Sequence, residues 1–111
     1  MAILLVTLDE PLGIAPEKWD AYSNMRTEWI KKVMVQPGIK EARFYIDPNR
    51  GTPTGLCIYE FEDYAAAQKY VQSEASRRVV EEMRGWGVTS ISFRIWENSP
   101  VFTEPLRPSA G

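Results

Sequence analysis

The chain has 111 residues, within the usual size of a single domain of about 100–150 residues. Hydrophobic residues make up 44% and charged residues 25%, a globular balance that excludes the disordered, collagenous and coiled-coil classes. The net charge of −2, from 13 basic and 15 acidic residues, lacks the basic surplus that neutralises phosphates, so no nucleic-acid partner is expected. There is no histidine, which removes the commonest general base, the commonest metal ligand and every Ser-His or Cys-His nucleophile. The single Cys57 forbids an intrachain disulfide framework and fits a reducing compartment. The apolar run Ala2 to Val6 is far short of the roughly 20 residues of a membrane helix, and no basic segment precedes it. A cytoplasmic protein, with no membrane association and no signal peptide, is the expectation.

Ala2 to Leu8 is continuously apolar and β-favouring, bounded by Asp9, Pro11 and Gly13; it predicts a buried central strand. Pro16 and Glu17 open a helix of about five turns, residues 16–36. Its apolar stripe is Trp19, Tyr22, Met25 or Arg26, Trp29, Ile30, Val33 and Met34. Glu28 and Lys32 can pair on its wet side, and Pro37-Gly38 ends it. Ile39 to Ile46 alternates, with Ala42, Phe44 and Ile46 on one face and Glu41, Arg43 and Tyr45 on the other. Asp47 to Gly55 is turn chemistry throughout and predicts a hairpin loop. Leu56 to Phe61 returns as a strand whose two faces are both largely apolar, so its pattern allows either facing; Leu56, Ile58 and Glu60 are assigned to the face away from the helices. Asp63 caps a second helix, residues 63–84, with the stripe Ala67, Tyr70 or Val71, Ala75, Val79 and Met83. Glu74–Arg78 and Arg77–Glu81 are spaced to pair on its outer side. After Gly85-Trp86-Gly87, Val88 to Glu97 alternates again. Ile91, Phe93 and Ile95 share one face; Ser90, Ser92, Arg94 and Trp96 share the other. From Asn98 onward three prolines fall in fourteen residues, which predicts an extended C-terminal tail, 98–111, after one domain spanning 1–97.

The order βαββαβ is the split-βαβ, ferredoxin-like pattern. It predicts an α+β fold in which a four-stranded antiparallel sheet carries both helices on one face. The other face, with Tyr45, Trp96, Leu56 and Ile58 among polar groups, is left open. Burying that face against a second copy is worth about 25 cal/mol per Å² of apolar surface, so a homodimer is expected. Val101, Phe102 and Leu106 in the tail are then expected to latch onto a surface, the partner's included.

The segments Pro37-Gly38-Ile39-Lys40-Glu41-Ala42-Arg43-Phe44, Tyr59-Glu60-Phe61-Glu62-Asp63 and Ala66-Ala67-Gln68-Lys69-Tyr70-Val71-Gln72-Ser73-Glu74 resemble the dimeric α/β-barrel superfamily. They are most similar to its antibiotic-biosynthesis-monooxygenase and EthD-like branches, over about residues 2 to 97. The resemblance implies a homodimer whose sheets pack far face to far face. It also implies a ligand pocket in each subunit between sheet and helices. Members include cofactor-free oxygenases of aromatic polyketides, haem-degrading enzymes and polyketide cyclases. The haem-degrading pattern has a tryptophan ending the third strand and a histidine late in the second helix. Phe61 and Val80 stand there instead, so the resemblance implies no haem, and no cofactor is expected.

Two constellations carry the candidate chemistry. Tyr22, Trp29, Tyr59, Phe61, Tyr70 and Trp86, with Trp19 and Phe93 nearby, lie toward the predicted sheet–helix interface. They read either as core packing or as a flat pocket for an aromatic ligand, with tyrosine hydroxyls orienting it. Arg43 and Arg94 fall on the far faces of the two edge strands. They read either as an ion-pair network across a dimer, with Glu41 or Glu60, or as partners of a bound anion. Cys57 reads as an inert strand thiol, and Asp9-Glu10 and Glu81-Glu82 read as solvated acids. The functions in view are a cofactor-independent monooxygenase-like enzyme acting on an aromatic or polyketide-like substrate, and a non-catalytic ligand-binding or structural dimer.

Overall fold

The computed structural model describes residues 1–109. β1 (Ala2–Asp9) leads through a 3-10 turn at Pro16–Lys18 into α1 (Trp19–Met34). β2 (Ile39–Ile46) and β3 (Gly55–Phe61) form a hairpin, and α2 (Tyr64–Val71), α3 (Glu74–Gly85) and β4 (Thr89–Glu97) follow. The sheet order is β2-β3-β1-β4, every pairing antiparallel. This is the expected ferredoxin-like sheet, with β1 and β3 central and β2 and β4 at the edges. Residues 98–109 form no helix or strand, and two further tail residues lie outside the described ones.

β1 alternates between buried and half-buried positions. Ala2, Leu4, Val6 and Leu8 turn to the helices, where Leu4 is wholly enclosed. Ile3, Leu5 and Thr7 turn to the far face. Opposite Leu5 stands Ile58 on one side and Arg94 on the other; opposite Ile3 stand Glu60 and Trp96. Arg43 pairs in register with Ile58, and Tyr45 with Leu56. The assignment of Leu56, Ile58 and Glu60 to the far face therefore agrees with the register.

The second helix departs from the expectation of one continuous span. It breaks at Gln72-Ser73 into α2 and α3. The Ser73 hydroxyl donates to Tyr70 O at 2.6 Å and accepts from Ser76 N at 3.1 Å. A serine that closes one helix and caps the next offers the backbone an alternative to the helical ladder. Asp63 caps α2 as expected, accepting from Ala66 N at 2.8 Å. Glu28 pairs with Lys31 (3.3 Å) rather than Lys32. Lys32 turns instead to Glu82 of α3 (3.7 Å), whose other oxygen accepts from Trp29 Nε1 at 2.8 Å. Glu82 is thus a tie between α1 and α3, not a solvated acid. Glu74–Arg78 forms at 3.1 Å.

Gly38 has φ +84°, a backbone region that favours glycine. A Cβ built there would stand 2.8 Å from Ala66 Cβ and 3.1 Å from Glu62 Cγ, while its carbonyl accepts from Glu62 N at 2.8 Å. The start of α2 can approach β2 only because nothing projects from residue 38. Gly38→Ala is expected to destabilise the fold by roughly 2 kcal/mol, from the positive φ and the steric contact together. A thermal melt that leaves the midpoint unchanged would show that this approach is not needed.

Candidate functional site

A cavity of about 390 Å³ lies between the sheet and the helices, inside the usual range of roughly 300–1,000 Å³ for small-molecule pockets. Its floor is the helix-facing side of the sheet: Val6 and Leu8 of β1, Gly55, Cys57 and Tyr59 of β3, and Phe93 of β4. Tyr22, Trp29 and Val33 of α1 form one wall; Tyr70 of α2 with Val79 and Met83 of α3 close the back. The mouth lies toward β2. Phe44 and Ile46 turn to the helix side, in register with Cys57 and Gly55, and were expected to be covered by helices. They are instead 46% and 77% exposed: α1 contacts β2 but does not close over its C-terminal end. Both line the cavity, and the Phe44 ring meets Tyr59 edge to face at 5.9 Å.

Gly55 keeps the floor flat: a Cβ there would come 3.2 Å from Leu8 Cδ1. Tyr22 is 1% exposed and its ring meets Trp29 at 6.1 Å and Trp86 at 5.7 Å. Its hydroxyl donates to Glu10 Oε2. Glu10 Oε1 faces Arg26 Nη1 at 3.4 Å, and the Arg26 guanidinium lies 5.6 Å from the Tyr22 ring centre. Glu10 N donates to Thr54 Oγ1 at 2.7 Å, so the acid is held at both ends. Just before it, the Asp9 carboxylate accepts from Thr52 Oγ1 (2.7 Å) and Thr54 N (3.1 Å). The Thr52 bond above all holds Asp9 below its ordinary pKa. The pair Asp9-Glu10 therefore pins the 47–55 loop to the end of β1, where it was expected to be solvated.

Burial governs the titration of the cavity. It raises Tyr59, with Cys57 beside it adding to the effect, and raises Tyr70. Burial also raises Tyr22, followed by its bond to Glu10. The Cys57 thiol goes from 9.0 up to about 11, first through burial and then through the Glu10 charge. At neutral pH these groups are protonated donors, and Cys57 is no nucleophile.

Of the residues singled out from the sequence, the cavity brings together Tyr22, Trp29, Tyr59, Tyr70 and Phe93. Phe61 is fully buried and stacked on Tyr70 (6.4 Å) behind the wall. Trp86 packs against Tyr22 from the core side. Arg43 and Arg94 are on the opposite face of the sheet, Arg43 paired with Glu41 at 3.3 Å and Arg94 lying 4.5 Å above the Trp96 ring. Glu10, Arg26 and Cys57 enter the site without having been anticipated. The i, i+4 spacing of Tyr22 and Arg26 on one helix face was a usable signal; nothing local marked Glu10.

No family model and no curated protein matches the chain. Solved structures match it along nearly its whole length. An antibiotic biosynthesis monooxygenase is 19% identical with TM-score 0.61, over 90% of this chain and 100% of that one. SnoaB, a cofactor-independent oxygenase of Streptomyces nogalater, is 12% identical with TM-score 0.66, over 93% and 98%. An EthD family protein of Bacillus halodurans is 14% identical with TM-score 0.58, over 89% and 100%. The chain thus shares the ferredoxin-like fold of antibiotic-biosynthesis-monooxygenase-like and EthD-like proteins. Among the described residues no helix is long and apolar enough to cross a membrane.

Four buried acids, Cys57, Tyr22, Tyr59 and Tyr70, all have raised pKa values. The unfolded chain therefore releases their protons first as pH climbs past 9, and the folded chain binds more protons there. Stability then falls with rising pH. The urea midpoint is expected to drop between neutral pH and pH about 10.5, and less steeply in Cys57→Ala. A midpoint independent of pH over that span would mean that the cavity floor is wet.

Proposed function

We propose that the protein is a small-molecule-binding homodimer that acts as a cofactor-independent monooxygenase-like enzyme on an aromatic or polyketide-like substrate. One observation carries the reading: an apolar cavity of about 390 Å³ whose polar atoms are hydroxyls, a thiol and one carboxylate–guanidinium pair. Aromatic walls suit a flat ligand, and the tyrosine hydroxyls suit an oxyanion developing on it. In a cofactor-independent reaction the substrate supplies the reducing electrons itself. Oxygen would insert one atom at a substrate carbon and leave the other as water, the two hydrogens and the electrons coming from that carbon. The fold likeness to a cofactor-independent oxygenase supports the same reading.

A hydroxylated anthrone, with an oxidisable ring CH2, is the test substrate. Purified protein with chelator and without added flavin is expected to speed oxygen uptake above the uncatalysed rate, and Tyr59→Phe to lower that gain by about tenfold or more. Uptake no faster than without protein leaves the non-catalytic ligand-binding dimer as the reading.

The dimer would form through the far face. Tyr45 and Trp96 are about half exposed there, around Leu5, Ile58 and Leu56, and a patch of this kind is buried by association. Val101, Phe102 and Leu106 of the tail are exposed as well and would add to the partner's surface. Sedimentation equilibrium at micromolar concentration is expected to give twice 12.7 kDa for the wild type. Ile58→Glu, which puts a charge at the centre of the face, is expected to give a folded species of 12.7 kDa. A wild type already at that mass rules out the dimer.

A further inference from the structure

Glu10 follows β1 directly and lines the cavity together with Tyr22 and Arg26. Its Oε2 accepts from the Tyr22 hydroxyl, and Tyr22 is locked between Trp29 and Trp86, so this oxygen has a fixed place. Its Oε1 meets Arg26 Nη1 at 3.4 Å, a long contact from a side chain 48% exposed. An ionised carboxyl has about four lone-pair positions, so Oε1 keeps acceptor capacity. Tyr59, Tyr70 and Cys57 can donate or accept; Glu10 can only accept. Among the described residues no other carboxylate lines the cavity.

We propose that Glu10 determines the specificity of the cavity: its carboxylate, held by Tyr22 and Arg26, accepts a hydrogen bond from a neutral hydroxyl on an aromatic ligand and turns away ligands that carry an anion at that place. The proposal rests on the reading of the cavity as an aromatic-ligand site. Glu10 and Arg26 together are neutral, and a hydroxyl donor leaves that balance intact. An ether oxygen at the same place has no proton to give and leaves the carboxylate short of a donor. A ligand carboxylate adds a second negative charge a few ångströms from the first, and the two repel. Selectivity built from one attractive and one repulsive element is the usual way a site separates close analogues.

The test uses naphthol, methoxynaphthalene and naphthoate, substituted at the same ring position, titrated into the full chain at neutral pH and followed by calorimetry. Naphthol is expected to bind the wild type about tenfold or more tighter than the ether, the factor set by a hydrogen bond to a charged acceptor, and naphthoate is expected to bind weakest. In Glu10→Gln the preference for naphthol over the ether is expected to fall below about threefold, and naphthoate to gain about tenfold. Tyr22→Phe, which frees the carboxylate from its tether, is expected to narrow the naphthol preference without reversing the order. Equal binding of naphthol and ether to the wild type overturns the role of Glu10 and leaves the cavity reading standing. Naphthoate as the tightest ligand overturns it too, and assigns recognition to Arg26. Failure of all three to bind overturns the cavity reading and this proposal together. Should Glu10→Gln not fold, the wild-type ranking alone decides.

Discussion

A phenol placed at the centre of an apolar core must find an acceptor for its proton. Tyr22 is that phenol. Left without a partner, such a hydroxyl costs about 1–3 kcal/mol, a large share of the stability of a domain this size. Glu10 supplies the acceptor, and much of the molecule is arranged so that it can. β1 ends one residue earlier, the 47–55 loop clamps Glu10 through Thr54, and Asp9 secures the same loop through Thr52. Arg26, one turn beyond Tyr22, offsets the charge brought inward. The seating of α1 on the sheet, the closure of the loop and the polar end of the cavity thus share one requirement.

The cavity lies where the helix layer does not close over the C-terminal end of β2. α2 and α3 lie over the β1 and β4 side, and the tie from Glu82 to Trp29 and Lys32 draws α1 toward α3. α1 contacts β2, yet Phe44 and Ile46 at the C-terminal end of that strand stay exposed beside the cavity. The break at Ser73 belongs to the same geometry, since it lets Tyr70 end one helix against the cavity while Val79 and Met83 enter from the next.

Periodicity carried the fold because it reports which side of an element is buried. The alternation in β2 and β4 and the three-and-four spacing in α1 fixed the faces of those elements, whereas β3 is largely apolar on both sides and its far-face assignment of Leu56, Ile58 and Glu60 is settled by the register. The Ser73 break was hidden, since the apolar stripe runs on at helical spacing through residues 67 to 83 and a capping serine looks like any other serine. Phe44 and Ile46 were placed on the right face but taken as covered, because a strand's pattern does not say whether a helix reaches over it. Five of the eight aromatic candidates line the cavity, and four of these, Tyr22, Trp29, Tyr59 and Tyr70, carry a polar tip. Glu10 was out of reach: its partners Tyr22, Arg26 and Thr54 lie 12, 16 and 44 residues away, and next to Asp9 it looked like an ordinary wet acid.

The outer strands of the sheet end in unpaired backbone groups, which invite another strand to add on. Lys40, Glu41 and Arg43 crowd β2, whose pairing with β3 shifts register between Ile39 and Glu41, and Arg94 and Glu97 mark β4. A strand docking sideways would have to strip water from these charges and match a kinked ladder, and sheets guard their margins against fibre growth in this way. Exchanging Lys40, Glu41 and Arg43 for valines would leave the interior untouched, yet it would give a chain whose copies stack endlessly through their rims.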